Sequence, residues 1–315
     1  YPGQGVRLPY QEYLRAGLPL DGVVCSIPNA ALPDFSFVGE HVTDDSALTV
    51  VEHVIQSVQR VREHGKVAGD WAGRLAWLND VLAELWEGRG PFPGIGSVLQ
   101  FLGCQTGTSF QRAVLAPMSR KGENPWEFVR AILDGRASVP PGAHAAELKK
   151  AQDKWRKLPG RHALLNALVR FELTPDQVQR VADPTARAEA GIAATEAQIV
   201  ENPYLICELD QGTDDSEAIG LETIDHGMLP DGDAALFVEE RVEPEDARRV
   251  RAVAGAVLDE ASAAGDTLLT LDDAFARVRG RFHDRRECRP DVEVFRSDLA
   301  FHEQRLWVGL DSAPP

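Results

Sequence analysis

The chain has no run of about 18 consecutive apolar residues, the minimum for a membrane-crossing helix, so none of it is expected to span a bilayer. Cysteine is scarce: Cys25, Cys104, Cys207 and Cys288 are scattered, and none forms a C-x-x-C pair. Such spacing points to structural or incidental thiols in a reducing, cytoplasmic setting rather than to zinc or a disulfide framework. His283 lies close to Cys288, but no second ligand pair accompanies it and no metal is expected. Positive charge is in deficit, with 33 Lys and Arg against 49 Asp and Glu and a net charge of −16. Taken alone, that argues against a broad nucleic-acid face, because phosphate affinity comes from cations.

Nor is there a G-x-x-x-x-G-K-[ST] phosphate loop; Gly65-Lys66-Val67 has neither the upstream glycine nor the following hydroxyl. Asp44-Asp45 and Asp214-Asp215 are carboxylate pairs of the kind that cap helices and line surface loops. Ser26 and Ser97 lack a nucleophile-elbow context, and His41 has no nucleophile beside it. No catalytic residue and no cofactor is therefore expected in this stretch. An initiator Met and a signal-peptide pattern are missing too. The ends, Tyr1-Pro2-Gly3 and Ala313-Pro314-Pro315, read as the edges of a piece of a longer chain.

What is present is enough apolar sequence, 43% of 315 residues, for a real core in two or three units. Residues 1–40 are rich in Pro and Gly and read as loops with one or two short strands, Gly22–Ile27 among them. Helical spacing then begins. Thr43 caps a helix with Leu48, Val51, Ile55 and Val58 on one stripe; Asp70 caps another with Leu75, Leu78, Leu82 and Leu85, and Trp71, Trp77 and Trp86 add core bulk. Further helices are predicted over 145–157, 162–171, from Thr174-Pro175, over 185–200, from Glu243-Pro244 to about Ala264, and over 271–281. Val292–Phe295 and Arg305–Leu310 read as two short strands. The expected fold is mainly α: a helical bundle with helix-hairpin-helix-like units and a small winged-helix-like C-terminal part. The expected divisions are 1–80, unassigned; 81–140 and 141–240, two hairpin-type units; and 241–315, the winged-helix-like unit.

Charge is patchy along this framework. Between Glu201 and Asp246 the sole cation is Arg241, whereas Lys149-Lys150 through Lys154, Arg156 and Arg161 is locally basic. So is the run Arg277, Arg279, Arg281, Arg285, Arg286 and Arg289. Each basic run reads either as one solvated helix face or as a phosphate contact. Gly94-Ile95-Gly96, between two helical segments, also has two readings. It is a plain interhelical turn, or a hairpin whose glycines permit a tight backbone and whose amides face a phosphate. Glu123-Asn124-Pro125-Trp126 and Glu201-Asn202-Pro203-Tyr204 echo one another, as a duplicated unit would. Trp155 reads as a core residue that could alternatively stack on a base.

The stretch Ile199-Val200-Glu201-Asn202-Pro203-Tyr204-Leu205-Ile206-Cys207-Glu208, followed by Ala218-Ile219-Gly220-Leu221-Glu222-Thr223-Ile224-Asp225, resembles the helix-hairpin-helix region of RecD-like superfamily 1 DNA helicases. Phe171–Gln177 upstream and Arg248–Leu269 downstream agree, so the resemblance covers roughly 165–285, with a fainter echo near 88–103. Ala218 stands where the family has its first hairpin glycine, Leu221 where it has Phe, and Asp210–Glu217 is an acidic insertion. A carboxylate-ringed turn is poorly suited to phosphate, so the Gly94 turn is the better DNA candidate. The resemblance implies a non-catalytic accessory region of an ATP-dependent helicase with DNA repair as its setting, the ATP and Mg belonging to a motor C-terminal to the matched region. The expected contacts are sequence-independent, through Gly94, Ile95, Gly96, Lys149, Lys150, Lys154, Arg156, Arg281, Arg285 and Arg286. The rival expectation is a protein-interaction scaffold whose acidic 201–246 face docks a basic partner or the parent motor. An uncharacterised enzyme is a third.

Overall fold

Thr43 and Gly65 bracket the longest helix. The Thr43 hydroxyl accepts the Ser46 amide at 3.1 Å, and Gly65 closes the far end at φ +61°, a left-handed conformation that suits glycine. The computed structural model to which these helices belong describes residues 6–20, 23–24, 42–214, 216–238, 241–282 and 284–309. Of the early strand expectation, only Val23 and Val24 are described, and they lie in a turn; Cys25, Ser26 and His41 lie outside the described residues.

The fold is mainly helical, and the chain divides into two units, Tyr1–Arg241 and Val242–Pro315. In the first unit, α1 (Tyr10–Arg15) and the consecutive helices α2 (Asp44–His64) and α3 (Trp71–Arg89) share a core of Tyr13, Leu48, Ile55, Val58, Leu75, Leu78, Leu82 and Trp86. These fall at three- and four-residue steps, so burial alone selects one face of each helix, each large side chain contributing about 1.5–3 kcal/mol. Trp77, expected in that core, is 38% exposed instead.

Then follow α4 (Ile95–Phe101), α5 (Pro125–Leu133), α6 (Ala145–Arg156), α7 (His162–Leu168), α8 (Pro175–Ala182), α9 (Pro184–Glu189), α10 (Glu196–Glu201) and α11 (Leu221–Met228), with short helical turns between several of them. Thr174 and Gln177 form a reciprocal capping box at α8. The single helix expected over 185–200 is two, because Gly191 takes φ +78° and Thr195 starts α10 with its own capping box. The E-N-P echo does not repeat in structure. Asn124 caps α5, its side chain accepting the Glu127 amide at 3.0 Å, whereas Asn202 ends α10 with its backbone at φ −136°.

In the second unit, α12 (Ala247–Ala263) is capped by Asp246 and packs with α13 (Leu271–Arg279), capped by Thr270. The strand pair expected at its end is corrected. Val292–Ser297 is helical, α14, because the Asp291 carboxylate accepts the amides of Glu293 and Val294 at 2.8 and 3.0 Å and starts a helix despite the β-branched residues. Residues 305–309 form no strand, and among the described residues the single β pairing is the bridge between Thr213 and Ser216. Phe295 stacks on His302 at 4.0 Å and meets Phe275 edge-on at 5.2 Å.

Candidate functional site

The Gly94 turn leads into α4, and its amides already have partners. Gly94 N–H donates to the Val169 carbonyl at 3.0 Å, Ile95 N–H to the Phe92 carbonyl at 3.4 Å, and Gly96 N–H to the Gln111 carboxamide oxygen. The same Gln111 side chain donates to the Pro93 carbonyl at 2.6 Å, from the first position of a π-helical turn (Gln111–Leu115). Ile95 is 1% exposed. A Cβ at Gly94 would lie 2.4 Å from the Phe171 carbonyl oxygen and 2.7 Å from that of Leu168. Glycine is required here because backbone packs against backbone. The premise that Gly94, Ile95 and Gly96 offer free amides to a phosphate is therefore corrected: the protein itself has taken them. Nothing at Gln111 in the sequence marks it as the acceptor of the Gly96 amide.

The basic residues divide by surroundings. Lys149, Lys150, Arg156 and Lys157 are exposed on or next to α6, with Lys150 on Glu147 and Arg156 3.8 Å from Asp153. Lys154 lies against Phe101, donating to its carbonyl and sitting 4.4 Å from its ring centroid; burial and the nearby Arg161 lower its pKa. Trp155 is buried, stacked at 3.7 Å on His162 and bonded to Asp134 at 2.9 Å, which removes it as a platform for a base. In the second unit Arg281 pairs with Glu260 at 2.7 Å, and Arg277 and Arg289 pair with Asp266 and Glu287. Arg286 is 3% exposed and its carbonyl accepts from Arg249; Arg285 is exposed. Arg277, Arg279, Arg285 and Arg289 of this run are exposed and Arg286 is buried, while Arg249 and Arg251 are buried over the rings of Phe282 and Phe301.

The second hairpin turn is organised by an acid. Arg180 of α8 pairs with Asp210 at 2.6 Å, both side chains being buried. Asp210 also accepts the Ile219 amide at 2.8 Å and the Gly212 amide at 3.2 Å, while Arg180 donates to the carbonyls of Ser216 and Glu217. The acidic insertion is thus partly structural, with Asp214 and Glu217 left exposed at its surface.

A third site was not legible in the sequence. At the N-terminus of α2 the Glu172 carboxylate, 127 residues further along the chain than Asp45, accepts the Asp44 amide at 3.2 Å and the Asp45 amide at 2.7 Å. Together with Thr43, this satisfies amides that the helix itself leaves unpaired. Asp45 points inward, 2.5 Å from Arg89 Nε and 3.0 Å from His226 Nδ1. Glu52 lies 4.0 Å from His226 Nε2, and Trp86 meets the imidazole edge-on at 5.3 Å. Arg89 donates onward to the Arg170 carbonyl, and Arg170 to that of Gly227. The junction ties α2, α3, the 170–172 segment and α11 together. Burial pushes the Asp45 carboxyl up, but Arg89 and His226 outweigh it and hold the group below its usual range. Burial, then the charges of Asp45 and Asp44, push Glu172 up to about 8.

That shift has a sign. Between pH 4.5, the ordinary value, and about 8, folded Glu172 keeps a proton that the unfolded chain has lost, so its contribution to stability falls as pH rises through this window. Glu172→Gln is expected to remove about 2 kcal/mol of that decline, discounted because the side chain is only partly buried. Urea midpoints of both proteins at pH 5, 6.5 and 8 test it; equal slopes would contradict it.

Among the described residues, no group of three or more His, Cys, Asp or Glu is arranged to hold a metal ion, and no helix is long and apolar enough to cross a membrane. No family model matches the chain, and no solved structure matches it. Among curated proteins it is similar to an uncharacterized protein of Methanocaldococcus jannaschii, at 23% identity over 198 residues, 62% of this chain. The chain spans 16% of that relative's length.

Proposed function

We propose that this chain is a non-catalytic accessory region of a larger, RecD-like DNA helicase and that it works as a docking scaffold, holding a basic protein surface or the parent motor. The observation that carries the reading is the occupancy of the hairpin amides: Gly94, Ile95, Gly96 and Ile219 all donate within the chain. In the basic run of the second unit Arg277, Arg281 and Arg289 are paired with acids of the chain, and in the first unit the exposed acids Glu201, Asp214, Glu217 and Asp233 give the 201–241 stretch its charge. Acidic surfaces attract basic partners and repel phosphate. The helicase parent rests on the sequence resemblance alone.

One observation favours the second reading, sequence-independent DNA contact. Lys149, Lys150, Arg156 and Lys157 are exposed along one short segment. Fluorescence anisotropy with labelled single-stranded, duplex and forked DNA separates the two. The scaffold reading expects no salt-sensitive binding at low ionic strength. Binding that weakens steeply with salt, and again on Lys149→Glu with Lys150→Glu, would replace it with the DNA reading.

A further inference from the structure

The donors around Asp210 are those an oxyanion site requires. Arg180 supplies a buried guanidinium, 4% exposed, whose NH2 group faces the carboxylate at 2.6 Å. Two backbone amides complete the set, Ile219 on one carboxylate oxygen at 2.8 Å and Gly212 on the other at 3.2 Å. Gly212 takes φ +72°, so the loop bends its amide back onto the side chain two residues earlier. A Cβ there would lie 2.8 Å from the Ala218 nitrogen and 2.9 Å from the Ser216 carbonyl oxygen, which shows how tightly the loop closes over the site. A second feature is spare hydrogen-bonding capacity on the cation. Arg180 Nε is buried and has no hydrogen-bond partner among the described residues, so the guanidinium is held by fewer acceptors than it can serve. A buried guanidinium needs an anion beside it, and the chain provides one in Asp210.

We infer that Arg180 and the amides of Gly212 and Ile219 form an oxyanion-binding site that the chain keeps filled with its own Asp210 carboxylate, and that the site accepts a phosphate oxyanion when that carboxylate is removed. The ligand class is a tetrahedral oxyanion. Inorganic phosphate and a nucleic-acid backbone phosphate share that chemistry and differ in size and in the need for access past Asp214 and Glu217. In the native chain the site is closed, since the plug and the loop covering it are one segment, 210–217.

Asp210→Ala in the full chain tests this. Thermal midpoints are read in phosphate and in chloride at equal ionic strength, so that screening is constant. The variant's midpoint is expected to rise on the order of 2–4 °C in about 50 mM phosphate, as mass action predicts for a weak ligand of the folded state, with the native chain unmoved. If the variant does not fold in chloride, the expected result is recovery of its helical signal in phosphate. Arg180→Gln added to Asp210→Ala is expected to abolish the response. A short labelled duplex, titrated at low salt into the native chain, Asp210→Ala and the double variant, separates the sources: binding gained in Asp210→Ala over the native chain and lost again with Arg180→Gln assigns the site to backbone phosphate, and a response to inorganic phosphate alone assigns it to small oxyanions. No phosphate effect on Asp210→Ala, folded or unfolded, or an undiminished effect in the double variant, would overturn the inference and leave Asp210 as a loop staple.

Discussion

Arg89→Met is expected to destabilise the first unit by about 3–5 kcal/mol. The substitution keeps most of the buried stem but strips the charge that faces Asp45, which is itself 3% exposed. A buried carboxylate without its cation is far more costly than the pair is favourable, because the desolvation penalty stays while the attraction goes. His226, 3.0 Å away, retains part of the compensation and places the loss toward the lower end. Arg89 also donates to the Arg170 carbonyl, so the 170–172 segment loosens as well. Urea denaturation gives the value, and the paired change Asp45→Asn with Arg89→Met should cost less than Arg89→Met alone. A loss below about 1 kcal/mol would mean that the junction is incidental to stability.

Gly94→Ala is the second large effect. A methyl group there would meet two backbone carbonyls at 2.4 and 2.7 Å, and neither can swing aside as a side-chain end would. The expected cost is about 2–3 kcal/mol, through displacement of α4 from the 168–171 segment. Gly88→Ala is the matched control. Gly88 is exposed within α3, with nothing within 4 Å of an added Cβ, and its replacement should stabilise by about 0.5–1 kcal/mol. Equal effects at the two glycines would show that Gly94 is an ordinary turn residue.

These two sites mark where sequence reasoning succeeds and where it ends. Periodicity and caps are local, so Thr43, Asp70 and Thr174 mark helix starts that the structure contains. The mainly helical class followed from them. Local pattern misled where a short-range interaction overrode propensity. Val292–Phe295 has the composition of a strand, but Asp291 caps it into a helix. Residues 185–200 have the composition of one helix, but Gly191 breaks them into two.

The candidate-site residues are less legible, for a physical reason. A glycine turn that approaches a phosphate and one that approaches its own backbone need the same residue type, and only Val169 and Gln111, far along the chain, distinguish them. In the sequence Asp45 reads as one of a capping pair, because nothing local connects it to Arg89, His226 and Glu172. Basic runs are similarly ambiguous, since the partner that neutralises Arg281 is Glu260, on another helix. Charge counted along the chain is not charge presented at a surface.

The most direct test of the central claim is amide hydrogen exchange across residues 92–100, measured with and without DNA at low salt. Slow exchange in the free chain, unchanged by DNA, is the result expected if the Gly94 and Gly96 amides are held by Val169 and Gln111. Fast exchange in the free chain that slows on adding DNA would contradict it, and would return the turn to the role of a phosphate grip.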